Sequence, residues 1–263
     1  MRTTAILNMK GGVAKTTTAV NMAAILAHDY HKRVLVVDAD AQCNTTEFFE
    51  AEGTAANTFA DLLRSQIDFN LPLIVESTFP GVYLLKADES LMDLDLSKAG
   101  NGAADVLSLR NIVQKVDKPW VWQTGPVKDP FDYILIDCPP AFNAAAMAAL
   151  VAADDVLIPM KLDAFAIRGM ANLTRQIMNM RRVNKNLKVA GILPTMWYKS
   201  DDTLKAEEML TASGLPVCPH IRTSKTVDRM TYRQEPLVSS SASSGAALVD
   251  YRRFVNNYVR GDK

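Results

Sequence analysis

Cysteine is scarce in this sequence, and its few cysteines are too far apart to act together. Cys43, Cys138 and Cys218 are widely separated, and no C-x-x-C pair occurs. This pattern excludes a disulfide framework and a cysteine-based zinc site, and it is typical of a reducing cytosol. No apolar run is long enough to span a bilayer, and the N-terminus leads into a strand pattern without the features of a secretory signal. We therefore expect a soluble cytoplasmic protein.

The chain also lacks an excess of charge, with 29 basic and 29 acidic side chains. The two signs are nevertheless unevenly distributed. Residues 1–180 carry 15 basic and 21 acidic side chains, whereas residues 181–263 carry 14 and 8. The last third is therefore a candidate surface for a polyanion. Ordinary solvated helix faces have the same composition, and charge alone does not distinguish the two interpretations.

No linker rich in proline, glycine or serine divides the chain, so we expect a single domain, 1–263. Apolar, β-branched runs alternate with helical patterns, which predicts an α/β fold with a mostly parallel sheet covered by helices on both faces. The predicted strands are 5–7, 34–37, 82–85, 133–136, 156–159 and 189–193. The predicted helices are 16–28, 57–65, 104–116, 143–152, 165–183, 203–212 and 246–259. Residues 66–130 are interpreted as a variable insertion rather than a domain.

A glycine-rich turn connects the first strand to the first helix. The turn covers residues 8–17 and reads Asn-Met-Lys-Gly-Gly-Val-Ala-Lys-Thr-Thr. Backbone N–H groups and the positive end of the helix dipole converge there, so the turn favours a bound phosphate. Lys15 can neutralise β- and γ-phosphate oxygens, and the hydroxyl of Thr16 can ligate Mg²⁺. The motif therefore predicts a binding site for a nucleoside triphosphate with magnesium. Because a Cβ disfavours positive φ, we expect the loop to avoid that conformation at Ala14.

Carboxylates follow two other predicted strands. Asp38 and Asp40 come directly after the second strand, and Asp137 ends the run 133–136. In such sheets, ligands bind at the carboxyl ends of the strands, so all three can approach the phosphates or their Mg²⁺.

The order of these motifs resembles that of the ParA/MinD group of P-loop ATPases, whose deviant Walker A loop carries a second lysine, here Lys10. The resemblance covers nearly the whole chain outside 66–130. It implies that Lys10 reaches across an ATP-sandwiched homodimer, that Asp40 positions the attacking water, and that Asp38 and Asp137 support Mg²⁺ together with Thr16. The implied catalytic residues are Lys10, Lys15 and Asp40. The implied phosphate-binding residues are Lys10, Gly11, Gly12, Val13, Ala14, Lys15, Thr16 and Thr17. Thr195, Met196 and Pro219 are implied to lie at the adenine.

Within this group, the chain most resembles ParA partition proteins that lack an N-terminal helix-turn-helix domain. That resemblance implies a slow, Mg-dependent ATPase whose ATP dimer binds DNA without sequence preference. A small ParB-like or other partner would stimulate hydrolysis and release the dimer from the nucleoid. The implied DNA-binding residues are Arg222, Lys199 and Lys225.

Two other functions use the same fold. A MinD-like ATPase that cycles on a membrane needs an amphipathic C-terminal segment. The apolar face of 246–259 is more simply interpreted as a core helix. Metabolic enzymes such as dethiobiotin synthetase lack the signature lysine, which Lys10 supplies here. The nitrogenase iron protein needs cysteines placed to share a cluster across a dimer, and the three cysteines of this chain offer no such arrangement. The sequence identifies neither the cargo nor the stimulating partner, nor whether the ATP state polymerises.

Overall fold

The computed structural model describes residues 1–50, 55–68, 70–94, 104–121, 128–239 and 245–261. Seven strands form one sheet in the order β3-β4-β2-β5-β1-β6-β7. The strands are β1 Arg2–Ile6, β2 Val34–Asp38, β3 Val75–Glu76, β4 Val82–Leu85, β5 Tyr133–Asp137, β6 Asp155–Lys161 and β7 Lys188–Thr195. All neighbouring pairs are parallel except β3 with β4. The six predicted strands are thus confirmed, with ends that differ by at most three residues.

Nine α-helices accompany the sheet within the described residues. They are α1 Lys15–Tyr30, α2 Asn44–Phe49, α3 Phe59–Arg64, α4 Ser108–Val116, α5 Ala144–Ala152, α6 Ala164–Met180, α7 Asp201–Ala212, α8 Lys225–Arg233 and α9 Ala246–Arg260. A short 3-10 helix covers Glu89–Asp93. The seven predicted helices are present, whereas α2, α8 and the short strand β3 were not predicted.

The strands are apolar because the sheet is buried on both faces. In β2, Leu35 and Val37 belong to one core cluster, whereas Val34 and Val36 belong to the other. The first cluster packs the sheet against α3, α4, α5 and α6, and the second packs it against α1, α2 and α9. The predicted architecture of a sheet with helices on both faces is therefore confirmed.

The segment 66–130 contributes directly to this sheet, because β4 pairs in parallel with β2 and β3 pairs with β4. Helix α4 in the same segment packs into the first core cluster. Residue 69 and residues 95–103 and 122–127 of the proposed insertion lie outside the described residues.

The topology places the predicted carboxylates side by side. Strands β2 and β5 are neighbours, and their last residues, Asp38 and Asp137, face each other in the register. Strand β1, which leads into the phosphate loop, pairs with β5 on its other side. The loop and both carboxylates therefore lie at the same carboxyl edge of the sheet.

Candidate nucleotide site

The phosphate loop lies between β1 and α1 and contains two residues with positive φ. Gly12 has φ 68°, and Ala14, the N-cap of α1, has φ 67° and ψ 35°. The expectation that the loop avoids positive φ at Ala14 is therefore wrong. A left-handed non-glycine residue costs about 1 kcal/mol. Such turns point successive backbone N–H groups into a concave anion site, so the strained conformation is the one that binds an anion.

Two side chains fix this loop to neighbouring strands. Asn8 accepts a hydrogen bond from the backbone N–H of Lys10 at 3.0 Å and donates one to the carbonyl of Pro159, at the end of β6, at 2.7 Å. Thr195, the last residue of β7, donates its hydroxyl to the carbonyl of Val13 at 3.1 Å. The sequence interpretation assigned no role to Asn8, because an asparagine before a glycine turn is common and carries no specific signal.

Lys15 is nearly buried below the loop. Its Nζ donates to the carbonyl of Lys10 at 3.3 Å. Burial lowers the pKa of Lys15, and the neighbouring carboxylates of Asp137 and Asp40 partly oppose this shift. The three predicted residues are therefore in electrostatic contact with one another. A buried ammonium that is bonded only to a carbonyl is well suited to accept a phosphate oxygen.

Asp137 has one satisfied oxygen and one unsatisfied oxygen. Its Oδ2 accepts hydrogen bonds from the hydroxyls of Thr16 and Thr45, each at 2.7 Å. Its Oδ1 is buried and has no hydrogen-bond partner. An unpaired buried carboxylate oxygen is unfavourable, so this atom fits a position beside a hydrated cation. The donor set of hydroxyl and carboxylate oxygens is the kind that Mg²⁺ prefers.

Asp38 is fully buried beside Asp137. Its Oδ2 accepts hydrogen bonds from the backbone N–H and the hydroxyl of Thr46, both at 2.8 Å, and its Oδ1 accepts one from the N–H of Asp40 at 3.1 Å. Burial raises the pKa of Asp38, and the nearby Asp137 carboxylate raises it further. Two adjacent buried carboxylates repel each other and favour a shared cation.

Asp40 is partly exposed, and its backbone turns into α2. Its Oδ1 accepts from the N–H of Gln42 at 3.1 Å, and its carbonyl accepts from the N–H of Cys43 at 2.9 Å. The carboxylate is close enough to Lys15 of the loop to interact with its charge.

Lys10 and the two glycines after it are exposed at the surface of the loop. The Nζ of Lys10 forms an ion pair with Oδ2 of Asp163 at 2.5 Å, just beyond the end of β6. Both side chains are partly exposed, at 43% and 32%. In a single chain the lysine is therefore directed to its own Asp163.

A cavity of about 400 Å³ adjoins the phosphate loop. Its lining includes residues of the loop and of α1, the end of β7 and the start of α8, among them Ala14, Thr17, Thr195, Met196, Lys225, Val227 and Asp228. Its position next to the loop suits a ribose and a base. Met196 lines this cavity, whereas Pro219 lines another cavity together with Val189 and Phe254. The segment that contains Pro219 runs alongside β7, since the N–H of Cys218 donates to the carbonyl of Ile192 and the N–H of Ile221 donates to the carbonyl of Pro194. The roles of Met196 and Pro219 at the adenine stay predictions.

The three proposed DNA-binding residues differ in their surroundings. Lys199 and Lys225 are exposed. Arg222 donates from Nε and a terminal nitrogen to both carboxylate oxygens of Asp250, at 2.7 and 2.9 Å, and its backbone N–H donates to Asp250 at 3.0 Å. Asp250 is itself buried. Arg222 is thus paired within the chain, and its side chain remains 42% exposed.

Comparison with known proteins agrees with this geometry. A family model described as an AAA domain matches residues 1–189. The chromosome partitioning protein ParA of Caulobacter vibrioides is 33% identical over 199 residues, which cover 75% of this chain and 69% of that protein. The chain belongs to the ParA family of P-loop ATPases.

Solved structures share the fold of this ParA-family chain. A structure described as cobyrinic acid a,c-diamide synthase from Mycobacterium smegmatis, with bound ATP analog and magnesium, has a TM-score of 0.79. It is 26% identical and covers 100% of this chain and 96% of that one. The cell division ATPase MinD of Pyrococcus furiosus has a TM-score of 0.76 at 21% identity, with 98% of each chain covered. Among the described helices, none has the length and apolarity needed to cross a membrane.

Proposed function

We propose that this protein is a partition ATPase in which ATP and Mg²⁺ close a homodimer that binds DNA without sequence preference. A ParB-like or other small partner stimulates hydrolysis and releases the dimer, so the protein moves between cytoplasm and nucleoid. The unsatisfied Oδ1 of Asp137 beside the phosphate loop carries the nucleotide part of the proposal. The relationship to ParA of Caulobacter vibrioides, described as a chromosome partitioning protein, supports the cellular part.

Different residues around the loop bind different parts of the nucleotide. Lys15 neutralises the β- and γ-phosphates, and the backbone N–H groups from Gly11 to Thr17 surround them. The hydroxyl of Thr16 and the carboxylates of Asp137 and Asp38 would hold Mg²⁺, which would offset the charge of the phosphate oxygens when bound. ATP binding is therefore built largely from residues of one chain.

Hydrolysis uses two further residues. Asp40 is a carboxylate at the mouth of the site, where it can orient the attacking water. Lys10 extends from the exposed part of the loop and leaves Asp163 to reach the phosphates bound to the second copy. The need for a second chain explains a slow basal turnover, because a lone protomer lacks this cation.

The DNA surface is better assigned to α8 than to Arg222. Lys225, Arg229 and Arg233 are all exposed and recur at every fourth residue, so they share one face of the helix. Lys199 is exposed in the segment that follows β7. Two copies of this face in a dimer double the number of phosphates that one particle neutralises.

The alternative of a membrane-cycling ATPase has less support. It would require the apolar face of α9 to be available for a bilayer. Leu248, Tyr251, Phe254, Val255 and Tyr258 are instead buried in the second core cluster. Exposing them would open the core of the domain, so α9 is unsuitable as a reversible anchor.

One binding experiment separates the two functions. We would measure retention of the protein on random-sequence duplex and on anionic liposomes, each with ATP, with ADP and at raised salt. We expect ATP-dependent retention on the duplex that falls steeply with salt, because phosphate contacts release counterions. Capture by liposomes but not by duplex would overturn the partition proposal.

A charge-reversal pair tests the assignment to α8. Arg229→Glu should weaken retention on every duplex sequence about equally, because a phosphate contact carries no base information. Lys118→Glu makes the same charge change at an exposed residue after α4, which packs on the opposite face of the sheet. This control should retain wild-type binding. Equal loss in both variants would mean that only net charge matters.

A further inference from the structure

Helix α8 touches the nucleotide site at its first turn. Lys225, Val227 and Asp228 line the cavity next to the phosphate loop, and Ser224, which also lines it, caps the helix by accepting from the N–H of Thr226 at 3.3 Å. The opposite wall is formed by Ala14 and Thr17 at the start of α1. A base or ribose in this cavity therefore contacts the loop and α8 together.

A second connection runs through Asn21 in the next turn of α1. Its Nδ2 donates to the carbonyl of Thr17 at 2.8 Å and contacts the sulfur of Met230 at 3.1 Å. Its Oδ1 accepts from the N–H of Leu237, beyond the end of α8, at 3.0 Å. Asn21 is buried, so these contacts do not compete with water. Asn21 thus holds the middle of α8 and the segment after it against α1 in the protein without ligand.

Apart from these contacts, α8 is weakly held. Within this fully described helix, Met230 is the one buried residue. Most tertiary stabilisation of a helix comes from its buried face, so α8 belongs to the least stable part of the fold. A ligand that adds contacts at its first turn can therefore change its stability measurably.

We propose that the nucleotide orders α8 within each single chain, through the cavity wall that α8 shares with the phosphate loop, before any dimer forms. This inference rests on the proposed nucleotide site and on the assignment of the DNA surface to α8. Occupancy of the cavity fixes Lys225, Arg229 and Arg233 in one orientation. A ligand that consists of phosphate groups alone does not contact the cavity wall, so it leaves α8 unchanged. The nucleotide then controls DNA affinity in two ways. It orders α8 in each protomer, and it brings two copies of the DNA surface together in the dimer.

Amide hydrogen exchange of the full-length protein tests this coupling. The three states are the free protein, the protein with Mg-ADP, and the protein with magnesium pyrophosphate, which lacks base and ribose. Pyrophosphate should protect residues 10–17 only. ADP should protect residues 10–17 and also slow exchange in α8 by about tenfold, which corresponds to about 1.4 kcal/mol. Helix α7, which contributes no residue to the cavity, is the internal control and should not change.

The outcomes distinguish this inference from the proposed function. Protection of residues 10–17 by ADP without any change in α8 overturns the coupling and leaves the nucleotide site intact. A failure of ADP to protect residues 10–17 overturns both. Equal slowing of α8 by pyrophosphate and ADP also contradicts the inference, because the cavity would then play no part.

A substitution in the cavity wall provides a second test. Val227→Ala removes apolar contact with the ligand at a half-buried position and should reduce the ADP-induced protection of α8, while residues 10–17 stay protected. Val227→Ile keeps the contact and should restore the wild-type pattern. Unchanged protection of α8 in Val227→Ala would overturn the route through the cavity wall.

Discussion

Arg222 and Asp250 form an ion pair, so this basic side chain has a partner within its own chain. Burial raises the pKa of Asp250, but hydrogen bonds and charge from Arg222 outweigh this, so the pKa lies below its usual value. The guanidinium contacts the carboxylate through two nitrogens, and the Arg222 backbone adds a third bond. The pair joins the segment before α8 to α9. Arg222 therefore has a role within the fold, as the partner of a buried carboxylate.

We expect Arg222→Ala to lower the melting temperature by several degrees, because it leaves the buried Asp250 carboxylate without its partner. The double variant Arg222→Ala/Asp250→Ala should recover part of this loss, since both charges are then gone. Thermal denaturation at neutral pH checks both. If Arg222→Ala instead kept its melting temperature and lost duplex retention, Arg222 would be a DNA contact after all.

The pH dependence of the same pair has a definite sign. Because the folded pKa of Asp250 is lowered, its contribution to stability is present above the unfolded pKa and is lost as pH falls through the folded value. The difference in melting temperature between wild type and Asp250→Asn should therefore narrow below about pH 4. A difference that stayed constant to lower pH would contradict this.

Lys15 and Lys10 lie in one loop but in opposite environments, which predicts opposite consequences of their removal. Lys15 is nearly buried among carboxylates, so Lys15→Ala should abolish ATP binding. Lys10 is exposed and paired with Asp163, so Lys10→Ala should still bind ATP but lose ATP-dependent dimerisation and turnover. Nucleotide titration combined with analytical sedimentation measures both properties. An ATP dimer of normal stability in Lys10→Ala would show that this lysine does not act across the interface.

At the scale of single residues, the sequence predicted those whose chemistry and spacing are specific. It did not predict features that depend on the backbone conformation. Lys15 and Thr16 were predicted from a strand, a turn and a helix in order, and Asp137 from the end of a later apolar strand. The structure brings the three together. Ala14 was expected to avoid positive φ, because residue type alone penalises that conformation and the loop geometry was not known. Pro219 was predicted at the adenine by resemblance alone, and it lines a different cavity from Met196.

At the scale of elements, the predictable helices are those with a long buried face. Helix α9 has apolar residues at helical spacing along most of its length, and it is a core helix as expected. Helix α2 has six residues and β3 has two, so neither is long enough to carry a clear period. Helix α8 has a mostly polar sequence with one buried residue, so it lacks the apolar run that marks a core helix. It is also the element proposed to respond to ligand.

At the scale of the whole molecule, the phosphate loop lies on an open surface. Lys10, Gly11 and Gly12 are exposed, whereas Val13 directly after them is buried. A nucleotide held by this loop therefore presents its outer phosphate toward solvent or toward a second copy. Such an arrangement suits an enzyme whose active state is assembled from two chains and whose single chain binds ATP without rapid hydrolysis.

Asp40→Ala should separate assembly from turnover in this system. Asp40 makes turn bonds at the mouth of the site but none to the loop, so its loss should spare ATP binding and dimer closure. Removing a positioned catalytic group should lower turnover by about 10²-fold. The variant should therefore accumulate as an ATP-bound dimer and remain on duplex DNA after the stimulating partner is added. Phosphate release, sedimentation and duplex retention are measured on one preparation, with Asp40→Glu as the matched carboxylate control. Turnover at the wild-type rate in Asp40→Ala would remove Asp40 from the mechanism, and failure to dimerise would make it a binding residue instead.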